Sequence, residues 1–286
     1  MHRFRHTAMA TEFEIRCTHP DAELAWQAAR CGFETVDRLE QQLSRFVENS
    51  DISRINHLSA GESTIVSCET MECLKLAKLV YAQTGGAFDV SIGAGFERLE
   101  LLAEEFVVRA GSDRVRLDLG GIGKGFAVDR LADVLEDWEV DHALIDAGRS
   151  SVLALEPPAG KEGWPLTLSD PGDPGAVLIR IGARQHALGA SGIRKGDHIW
   201  DSRERAPVRS RRAAWVSGPR RVLADMGRQA GVERSAAAVA DALSTAFMSS
   251  PDDNIETYCR THPGLDVWVL GERLIRFPRA ENPDLE

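Results

Sequence analysis

The sequence predicts an α+β fold in which mixed, mainly antiparallel sheets pack against helices. Four segments have helical periodicity, and between the third and the fourth of them six short apolar runs follow one another. Strands with no helix between them pair most simply as antiparallel neighbours, whereas a doubly wound sheet would alternate strands and helices. We expect the 286 residues to form a single domain, or two intimately packed subdomains, because no low-complexity linker divides them.

The four predicted helices are recognised by apolar residues that recur every three or four positions. The first is long and amphipathic, the second ends at a pair of glycines, the third follows a glycine-rich run, and the fourth is rich in alanine. Their expected spans are Asp21–Phe46, about Glu69–Gln83, a helix that carries Ala127 to Trp138, and Ser235–Met248.

The predicted strands are short and bounded by turn residues. Thr11–Cys17 alternates apolar and polar residues, which is typical of a half-buried strand. Val267–Leu270 and Leu274–Phe277 are expected to form a hairpin. The six apolar runs between the third and fourth helices are Ala143–Ile145, Ser151–Leu155, Pro165–Ser169, Val177–Ile181, His186–Gly189 and Ala213–Ser217.

Composition indicates an ordinary globular protein. The chain is 43% hydrophobic and 27% charged, and its net charge of −10 argues against a nucleic-acid partner or an anionic membrane surface. No run approaches the ~20 apolar residues that a membrane span needs, so we expect no membrane insertion. The five cysteines form no C-x-x-C pair, and the N-terminal residues contain no apolar signal segment. We therefore expect reduced thiols and a cytoplasmic location.

A glycine-rich run, Asp118–Asp129, separates a strand-like stretch from the third helix. Four of the six residues from Gly120 to Gly125 are glycine, and Lys124 is one of only five lysines in the chain. Glycine lets backbone N–H groups approach a ligand closely, and the helix N-terminus that follows favours negative charge. A lysine at this place adds a point charge suited to phosphate. The run therefore predicts a site for a phosphorylated ligand.

The two commonest nucleotide-binding motifs do not fit this run. A dinucleotide fingerprint that starts at Gly121 would need glycine where Phe126 stands, and a P-loop would need Ser or Thr where Gly125 stands. A purely structural interpretation stays open, in which the run is a tight strand-to-helix turn whose glycines supply positive φ angles.

The fourth helix carries a second polar group of residues. Asp241, Ser244 and Thr245 stand at positions i, i+3 and i+4 and therefore share one face, among neighbouring alanines. One carboxylate and two hydroxyls suit a hard cation such as Mg²⁺, which keeps waters and substrate phosphates in its remaining positions. The alternative is that both hydroxyls bond back to helix carbonyls while Asp241 is solvated.

Two further stretches carry polar side chains. His198 stands three residues before Asp201, where a histidine can orient a ligand or move a proton, although a structural histidine is the simpler alternative. Ala87, Phe88 and Asp89 combine an aromatic ring and a carboxylate in a loop flanked by glycines. Neither stretch identifies a chemistry by itself.

Five blocks, in the same order along the chain, resemble the FAD:protein FMN transferases of the ApbE family. Asp118–Asp129 resembles the family's D-L-G-G-I-A-K-G-Y-A-V-D, Phe88–Gly93 its F-D-P-T-V-G, and Ala240–Ala246 its A-D-A-L-A-T-A. Ser53–Asn56 is similar to an S-x-I/L-x-x-I/L-N element, and His198–Pro207 to H-I-I-D-P-x-T-G-x-P. Five ordered blocks are more specific than any one of them.

The resemblance extends from about Met9 to Met248 and implies a T-fold-like ApbE architecture. It also implies an activity. The family cleaves the pyrophosphate of FAD and, with Mg²⁺, transfers FMN to a threonine or serine of an acceptor flavoprotein, so that AMP leaves. FAD would then be the substrate, and the acceptor flavoprotein would be the partner.

The resemblance also assigns roles to individual residues. Lys124 and Asp118 would contact FAD, and Asp241 and His198 would be catalytic, His198 as a proton handler or a ligand contact. The full set implied to bind FAD is Met9, Phe46, Ala87, Phe88, Asp89, Asp118 and Lys124. The implied Mg²⁺ ligands are the backbone carbonyl of Gly121 and the side chains of Asp241, Ser244 and Thr245.

The chain departs from the family pattern mainly on the acceptor side. Asp201–Arg205 lacks the proline and the glycine of the family block, and the family's S-G-D-Y-E is reduced to Ser191–Arg194. Two alternatives to transfer therefore stay open. One is an FAD pyrophosphatase that yields FMN and AMP, and the other is a non-catalytic FAD-binding paralogue.

Overall fold

The computed structural model describes residues 1–91, 93–193, 200–201 and 206–278, and in this part of the chain the fold is α+β, as the sequence predicts. The α-helices are α1 (Ala22–Leu43), α2 (Asp51–Asn56), α3 (Cys68–Gln83), α4 (Gly123–Asp137), α5 (Arg220–Arg228), α6 (Ala236–Ala246) and α7 (Asp252–Thr261). The strands are β1 (His2–Ala8), β2 (Thr11–Cys17), β3 (Ser63–Ile65), β4 (Leu99–Leu102), β5 (Val107–Ala110), β6 (Ala143–Ala147), β7 (Ser151–Ala154), β8 (Trp164–Asp170), β9 (Asp173–Ala183), β10 (His186–Gly192), β11 (Trp200–Asp201), β12 (Ala206–Pro207), β13 (Ala213–Pro219), β14 (Asp266–Leu270) and β15 (Leu274–Phe277).

One antiparallel sheet of eight strands organises the described chain. Its order is β1-β2-β6-β7-β10-β13-β14-β15, and every neighbouring pair is antiparallel. The register places Ile15 opposite Ile145 and Val216 opposite Val267. Because side chains alternate across a strand, the central strands β6, β7, β10, β13 and β14 contribute residues to one hydrophobic cluster on each face of the sheet.

Helices α4 and α6 cover one face of this sheet. Ile145 of β6 and Val216 of β13 point toward them and belong to the larger hydrophobic core. Gly189 of β10 allows α6 to approach, because a Cβ atom there would lie 2.1 Å from the carbonyl oxygen of Ala240. The helix that carries the predicted metal ligands therefore rests directly on the sheet.

The β8–β9 hairpin covers the other face. Trp164 and Leu166 of β8 pack with Leu144 of β6, Val152 of β7 and Trp215 of β13 in a second hydrophobic cluster. The central strands are consequently buried on both faces, and all four residues of β7 are buried. This burial explains why the central strands appear in the sequence as continuous apolar runs.

Several boundaries and elements differ from the sequence-based expectations. The first helix ends at Leu43 instead of Phe46, because Ser44 has an extended backbone conformation. Its start is as expected, since the Asp21 carboxylate accepts hydrogen bonds from the N–H groups of Glu23 and Leu24. The sequence interpretation missed β1, the three-stranded sheet β3-β5-β4 and helices α2, α5 and α7. These elements are short, and several of them are rich in charged residues.

The stretch before the glycine run is not a strand, contrary to expectation. The side chain of Asn56, at the end of α2, makes the hydrogen bonds to this stretch that a neighbouring strand would otherwise make. Its side-chain N–H₂ donates to the carbonyl of Leu117 (3.0 Å), and its side-chain oxygen accepts from the N–H of Leu117 (2.6 Å). The Ser53–Asn56 block therefore holds the segment that leads to Asp118.

Candidate functional site

A cavity of about 730 Å³ opens between the glycine-rich run, α6 and the β8–β9 hairpin. Its volume lies in the range of small-molecule and cofactor sites. Lys124, Asp241 and Thr245 contribute polar groups to its lining, and Leu166 and Trp215 contribute apolar surface. A ligand that has both a charged part and a ring system matches this combination of surfaces.

The glycine-rich run forms the turn into α4. The Asp118 carboxylate accepts from the N–H of Gly120 (2.9 Å), and the carbonyl of Leu119 accepts from the N–H groups of Ile122 and Gly123. None of the four glycines of the run has a positive φ, so the structural interpretation based on positive φ is wrong. Close approach of neighbouring groups is instead what favours glycine at two of the four positions, Gly121 and Gly125.

Two of these glycines lie against α6. A Cβ atom built at Gly121 would lie 3.1 Å from Thr245 Oγ1, and one at Gly125 would lie 2.3 Å from the carbonyl oxygen of Ala237. The second distance is far below van der Waals contact, and its partner is backbone that cannot rotate away. The glycines thus bring the N-terminus of α4 against the helix that carries Asp241.

Lys124 and Asp241 meet at this crossing. The Lys124 ammonium lies 3.3 Å from Asp241 Oδ2, which also accepts a hydrogen bond from the N–H of Gly125 (3.1 Å). Asp241 is only 1% exposed, so the interpretation of it as a solvated residue is wrong. Burial raises the pKa of Asp241, while Lys124, the N–H of Gly125 and the Ser151 hydroxyl oppose that rise.

Both hydroxyls of the α6 group bond back to the helix, as the structural alternative predicted. Ser244 Oγ and Thr245 Oγ1 donate to the carbonyl of Asp241, at 2.8 and 3.2 Å. Ser191 Oγ of β10 lies 2.9 Å from Ser244 Oγ and 3.0 Å from Thr245 Oγ1. Thr245 lines the cavity, whereas Ser244 is fully buried and is not among the described residues that line it.

The oxygen atoms here suit a hard cation. Asp241 supplies a carboxylate and Thr245 a hydroxyl, close to the backbone of Gly121. In a regular helix the N–H of Gly125 would donate to the carbonyl of Gly121, four residues earlier, but here it donates to Asp241. The Gly121 carbonyl therefore accepts no hydrogen bond within the described part of the chain. The hydroxyl of Ser151 is fully buried and also has no hydrogen-bond partner of normal geometry among the described residues. It lies close enough to Asp241 to lower the pKa of that carboxyl. The carboxylate, hydroxyl and carbonyl oxygens of these residues fit Mg²⁺, which takes oxygen ligands.

In the described part of the chain, the oxygen group formed by Asp241, Thr245 and Gly121 contains one carboxylate, that of Asp241. Across the described ranges, no three His, Cys, Asp or Glu side chains are grouped so that they could hold a metal ion by themselves. A cation at Asp241 would therefore need further oxygen ligands from water or from a bound phosphate, which is the usual arrangement for Mg²⁺.

Asp118 has a partner that the sequence interpretation missed. Arg45 Nε lies 2.9 Å from Asp118 Oδ2, and the Arg45 guanidinium stacks 4.2 Å from the centre of the Phe46 ring. Phe46 is 80% exposed and is not among the described residues that line the cavity. Arg45 lies directly before the predicted aromatic position, and no charge pattern in the sequence links it to Asp118.

Of the four remaining residues predicted to bind FAD, two line the cavity and two do not. Phe88 and Asp89 line the cavity, whereas Ala87 is buried behind them and Met9 lies in the β1–β2 turn, outside the described lining. The Asp89 carboxylate accepts from the N–H and the hydroxyl of Ser91 and from another N–H of the same loop. Asp89 therefore holds the shape of its own loop in this structure.

Most of the residues predicted to lie on the acceptor side are outside the described part of the chain. His198 lies outside the described residues, and so does the side chain of Asp201. Of that region Ser191, whose hydroxyl contacts Ser244 and Thr245, can be placed at the cavity. The sequence interpretation gave Ser191 no role, although its position in the reduced S-G-D-Y-E block was the available signal.

Arg149 is a further lining residue that was missed. It lies in the β6–β7 turn with a φ of +60°, in the left-handed region that non-glycine residues rarely adopt, and its N–H donates to the Asp146 carboxylate (2.7 Å). Backbone strain of this kind is frequent at functional sites.

The fold and the site together define an antiparallel α+β protein with a polar cavity at the N-terminus of a lysine-bearing helix. The chain belongs to the ApbE family, whose family model matches residues 9–269. The expected fold and family are thus both confirmed. None of the helices in the described ranges combines the length and the hydropathy that a membrane span needs.

Two curated relatives carry the same name. The FAD:protein FMN transferase of Vibrio cholerae is 23% identical over 217 residues, which are 62% of this chain and 64% of the relative. The FAD:protein FMN transferase of Buchnera aphidicola is 21% identical over 168 residues, 44% of this chain and 49% of the relative. The chain thus spans less than two thirds of the length of each of these relatives.

Solved structures share the fold at low sequence identity. An ApbE protein from Thermotoga maritima superposes with a TM-score of 0.81 at 22% identity, covering 96% of both chains. The flavin transferase ApbE from Vibrio cholerae has a TM-score of 0.78 at 19% identity, also covering 96% of both chains. The flavinyl transferase ApbE from Pseudomonas stutzeri has a TM-score of 0.77 at 18% identity, covering 96% of this chain and 93% of that one.

Proposed function

We propose that this protein is an Mg²⁺-dependent transferase that moves FMN from FAD to a threonine or serine hydroxyl of an acceptor flavoprotein and releases AMP. Family membership and the names of the two relatives support this class of reaction. The observation that carries the proposal is the convergence of Lys124, Asp241 and Thr245 at one cavity of about 730 Å³. A cytoplasmic location remains a prediction from the sequence.

Lys124 would bind the pyrophosphate of FAD. It projects from the first turn of α4, where the helix N-terminus also favours negative charge, and its side chain is 19% exposed. Phosphoryl transfer depends mainly on positioning and on electrostatic stabilisation of the transferring group. A lysine at this place supplies both.

Asp241, Thr245 and the carbonyl of Gly121 would hold Mg²⁺. Ser244, which the sequence also suggested, is not retained as a ligand, because it is buried and lies outside the described lining of the cavity. When bound, the cation would neutralise negative charge that develops on the transferring phosphoryl group. Burial of Asp241 strengthens its electrostatic interactions, because few water molecules screen them.

The proposed reaction replaces the bridging anhydride oxygen on the FMN phosphorus by an ester oxygen from the acceptor. The acceptor hydroxyl oxygen bonds to the FMN phosphorus, the bond from that phosphorus to the bridging oxygen of the pyrophosphate breaks, and AMP leaves with the bridging oxygen. The hydroxyl proton must pass to a base. His198 remains our candidate for that base, and Asp201 a weaker one.

The test is incubation of the protein with FAD and Mg²⁺, with and without a candidate acceptor flavoprotein. Covalent flavin is followed by in-gel fluorescence of the acceptor, and AMP by chromatography. We expect AMP and covalent flavin to appear together, and Asp241→Asn to lower the rate at least about 100-fold. Asp137→Asn, at the exposed last position of α4, is the matched control and should keep the wild-type rate.

The other outcomes separate the alternatives. Release of FMN and AMP without covalent flavin would identify a pyrophosphatase, and stable FAD binding without AMP would identify a binding protein. Absence of FAD binding would overturn the proposal altogether.

A further inference from the structure

The last residue of the glycine-rich run, Asp129, lies away from the cavity but contacts α6. Asp129 is on α4, is 2% exposed, and its two carboxylate oxygens accept hydrogen bonds from the N–H groups of Ala237 (2.9 Å) and Ala238 (2.8 Å). These N–H groups belong to the first turn of α6, where a helix has no acceptors of its own for them. Asp129 thus caps a helix that is distant from it in sequence.

The local N-cap residue of α6 does not serve this purpose. The side chain of Ser235 makes no capping bond and instead lies 3.4 Å from the carbonyl of Val232. A helix that lacks an N-cap side chain is normally destabilised. The carboxylate of Asp129 on α4 therefore accepts the hydrogen bonds that the N-cap residue of α6 leaves unmade.

The same arrangement exists in reverse at the other helix. The N-cap residue of α4 is Ile122, which has no polar side chain, and the carboxylate of Asp241 on α6 accepts from the N–H of Gly125 in the first turn of α4. Each helix therefore caps the N-terminus of the other with a buried aspartate. Gly125 makes the crossing close enough for both contacts, because a Cβ atom there would overlap the backbone of Ala237.

We propose that Asp129 is a positioning residue that holds Asp241 and Thr245 of α6 at the correct place relative to Lys124 and Gly121. This inference rests on the proposed function, because it assigns Asp129 to the same site. Asp241 lies one helical turn, about 6 Å, beyond Ala237. A shift of the α6 N-terminus would therefore move the Asp241 carboxylate and the Thr245 hydroxyl by a similar amount.

The experiment compares Asp129→Asn and Asp129→Ala with the wild-type protein. Asparagine keeps one acceptor oxygen and loses the other, whereas alanine loses both. Asp137→Asn is the matched control, because Asp137 lies on the same helix, about two turns further along, and is exposed at the last position of α4.

The first measurement is the affinity for Mn²⁺, as a spectroscopic probe of the cation site, by electron paramagnetic resonance without FAD. We expect the Kd for Mn²⁺ to rise about tenfold in Asp129→Asn and further in Asp129→Ala, as for residues that orient metal ligands. Asp137→Asn should keep the wild-type Kd. For AMP release, Asp129→Asn should lower kcat more than it changes KM for FAD.

The second measurement needs no metal and no activity. We expect the Gly125 N–H, which bonds to Asp241, to exchange with solvent at least about tenfold faster in Asp129→Asn than in Asp137→Asn, by NMR. If Asp129→Ala does not fold, the asparagine variant carries the test.

Unchanged Mn²⁺ affinity and unchanged Gly125 exchange in Asp129→Asn would overturn the positioning role, whatever the loss of stability. Failure of the wild-type protein to act on FAD would instead overturn the proposed function, and the exchange measurement would still judge the positioning of Asp241.

Discussion

At the scale of single residues, the central contact is the ion pair between Lys124 and Asp241. A buried carboxylate is costly to charge in isolation, and the Lys124 ammonium 3.3 Å away offsets part of that cost. The same carboxylate is our proposed ligand for Mg²⁺. Lysine and metal ion would then compete for the charge of Asp241 until a pyrophosphate draws the ammonium away.

This competition makes Lys124→Ala informative. We expect the variant to bind FAD at least about tenfold more weakly, because a charge-assisted contact to phosphate is lost. In the absence of FAD it should bind Mn²⁺ more tightly than the wild-type protein, because no fixed cation neutralises Asp241. Fluorescence quenching of FAD and paramagnetic resonance of Mn²⁺ measure the two affinities. Lys161→Ala, at an exposed lysine, is the control, and weaker Mn²⁺ binding by Lys124→Ala would contradict the competition.

At the scale of elements, the crossing of α4 and α6 determines the site. Neither helix has a capping side chain next to it in sequence, and each receives a carboxylate from the other. Gly125 on α4 and Gly189 on β10 leave no space for a Cβ atom and so fix how closely α6 packs on both sides. The positions of the cavity-facing groups therefore depend on small residues that touch no ligand.

Gly125→Ala should disrupt this crossing. The new Cβ would lie 2.3 Å from the carbonyl oxygen of Ala237, so the helices must separate, and we expect a loss of about 1–3 kcal/mol in the free energy of unfolding. Gly123→Ala is the matched control, because its nearest neighbour would be Leu119 at 3.9 Å. That variant should stay within about 1 kcal/mol of the wild type. Urea unfolding measures both, and equal effects of the two substitutions would argue against the close crossing.

At the scale of the whole molecule, one sheet separates two hydrophobic layers, and the cavity is lined from both. Asp241 and Thr245 come from the helical layer, whereas Leu166 and Trp215 come from the layer under the β8–β9 hairpin. That these layers make up a single domain stays a prediction. Within the helical layer, the buried Asp129 carboxyl links global stability to pH.

Burial raises the pKa of Asp129 to about 7 from its ordinary value of 3.8, against the opposing effect of the N–H groups of Ala237 and Ala238. The folded state then binds a proton more tightly than the unfolded state, so this group's contribution to stability is greatest at low pH and is lost as pH rises toward 7. Compared with Asp129→Asn, the wild-type free energy of unfolding should fall by up to roughly 3 kcal/mol between about pH 5 and pH 8. Parallel pH profiles in urea unfolding would show that Asp129 titrates normally.

The sequence predicted those parts of the fold whose signal is local. Apolar periodicity placed the helices that became α1, α3, α4 and α6, and the apolar runs placed the central strands and the closing hairpin. It also predicted the glycine-rich run, Lys124 and the polar face of α6. The edge strand β1, rich in Arg and His, was missed because it carries little apolar signal.

Tertiary structure decided what these residues do together. The sequence by itself determined the α+β class, the family blocks and the chemical types at the candidate site. It could not show that Asp241 is buried, that Lys124 reaches it, or that Asp129 caps α6, because these contacts join residues about 110 positions apart. Nor could it show that the glycines serve close packing instead of positive φ. The close approach of the α4 and α6 backbones and the burial of Asp241 arise only when the two helices cross on the sheet. Local sequence patterns do not predict that crossing.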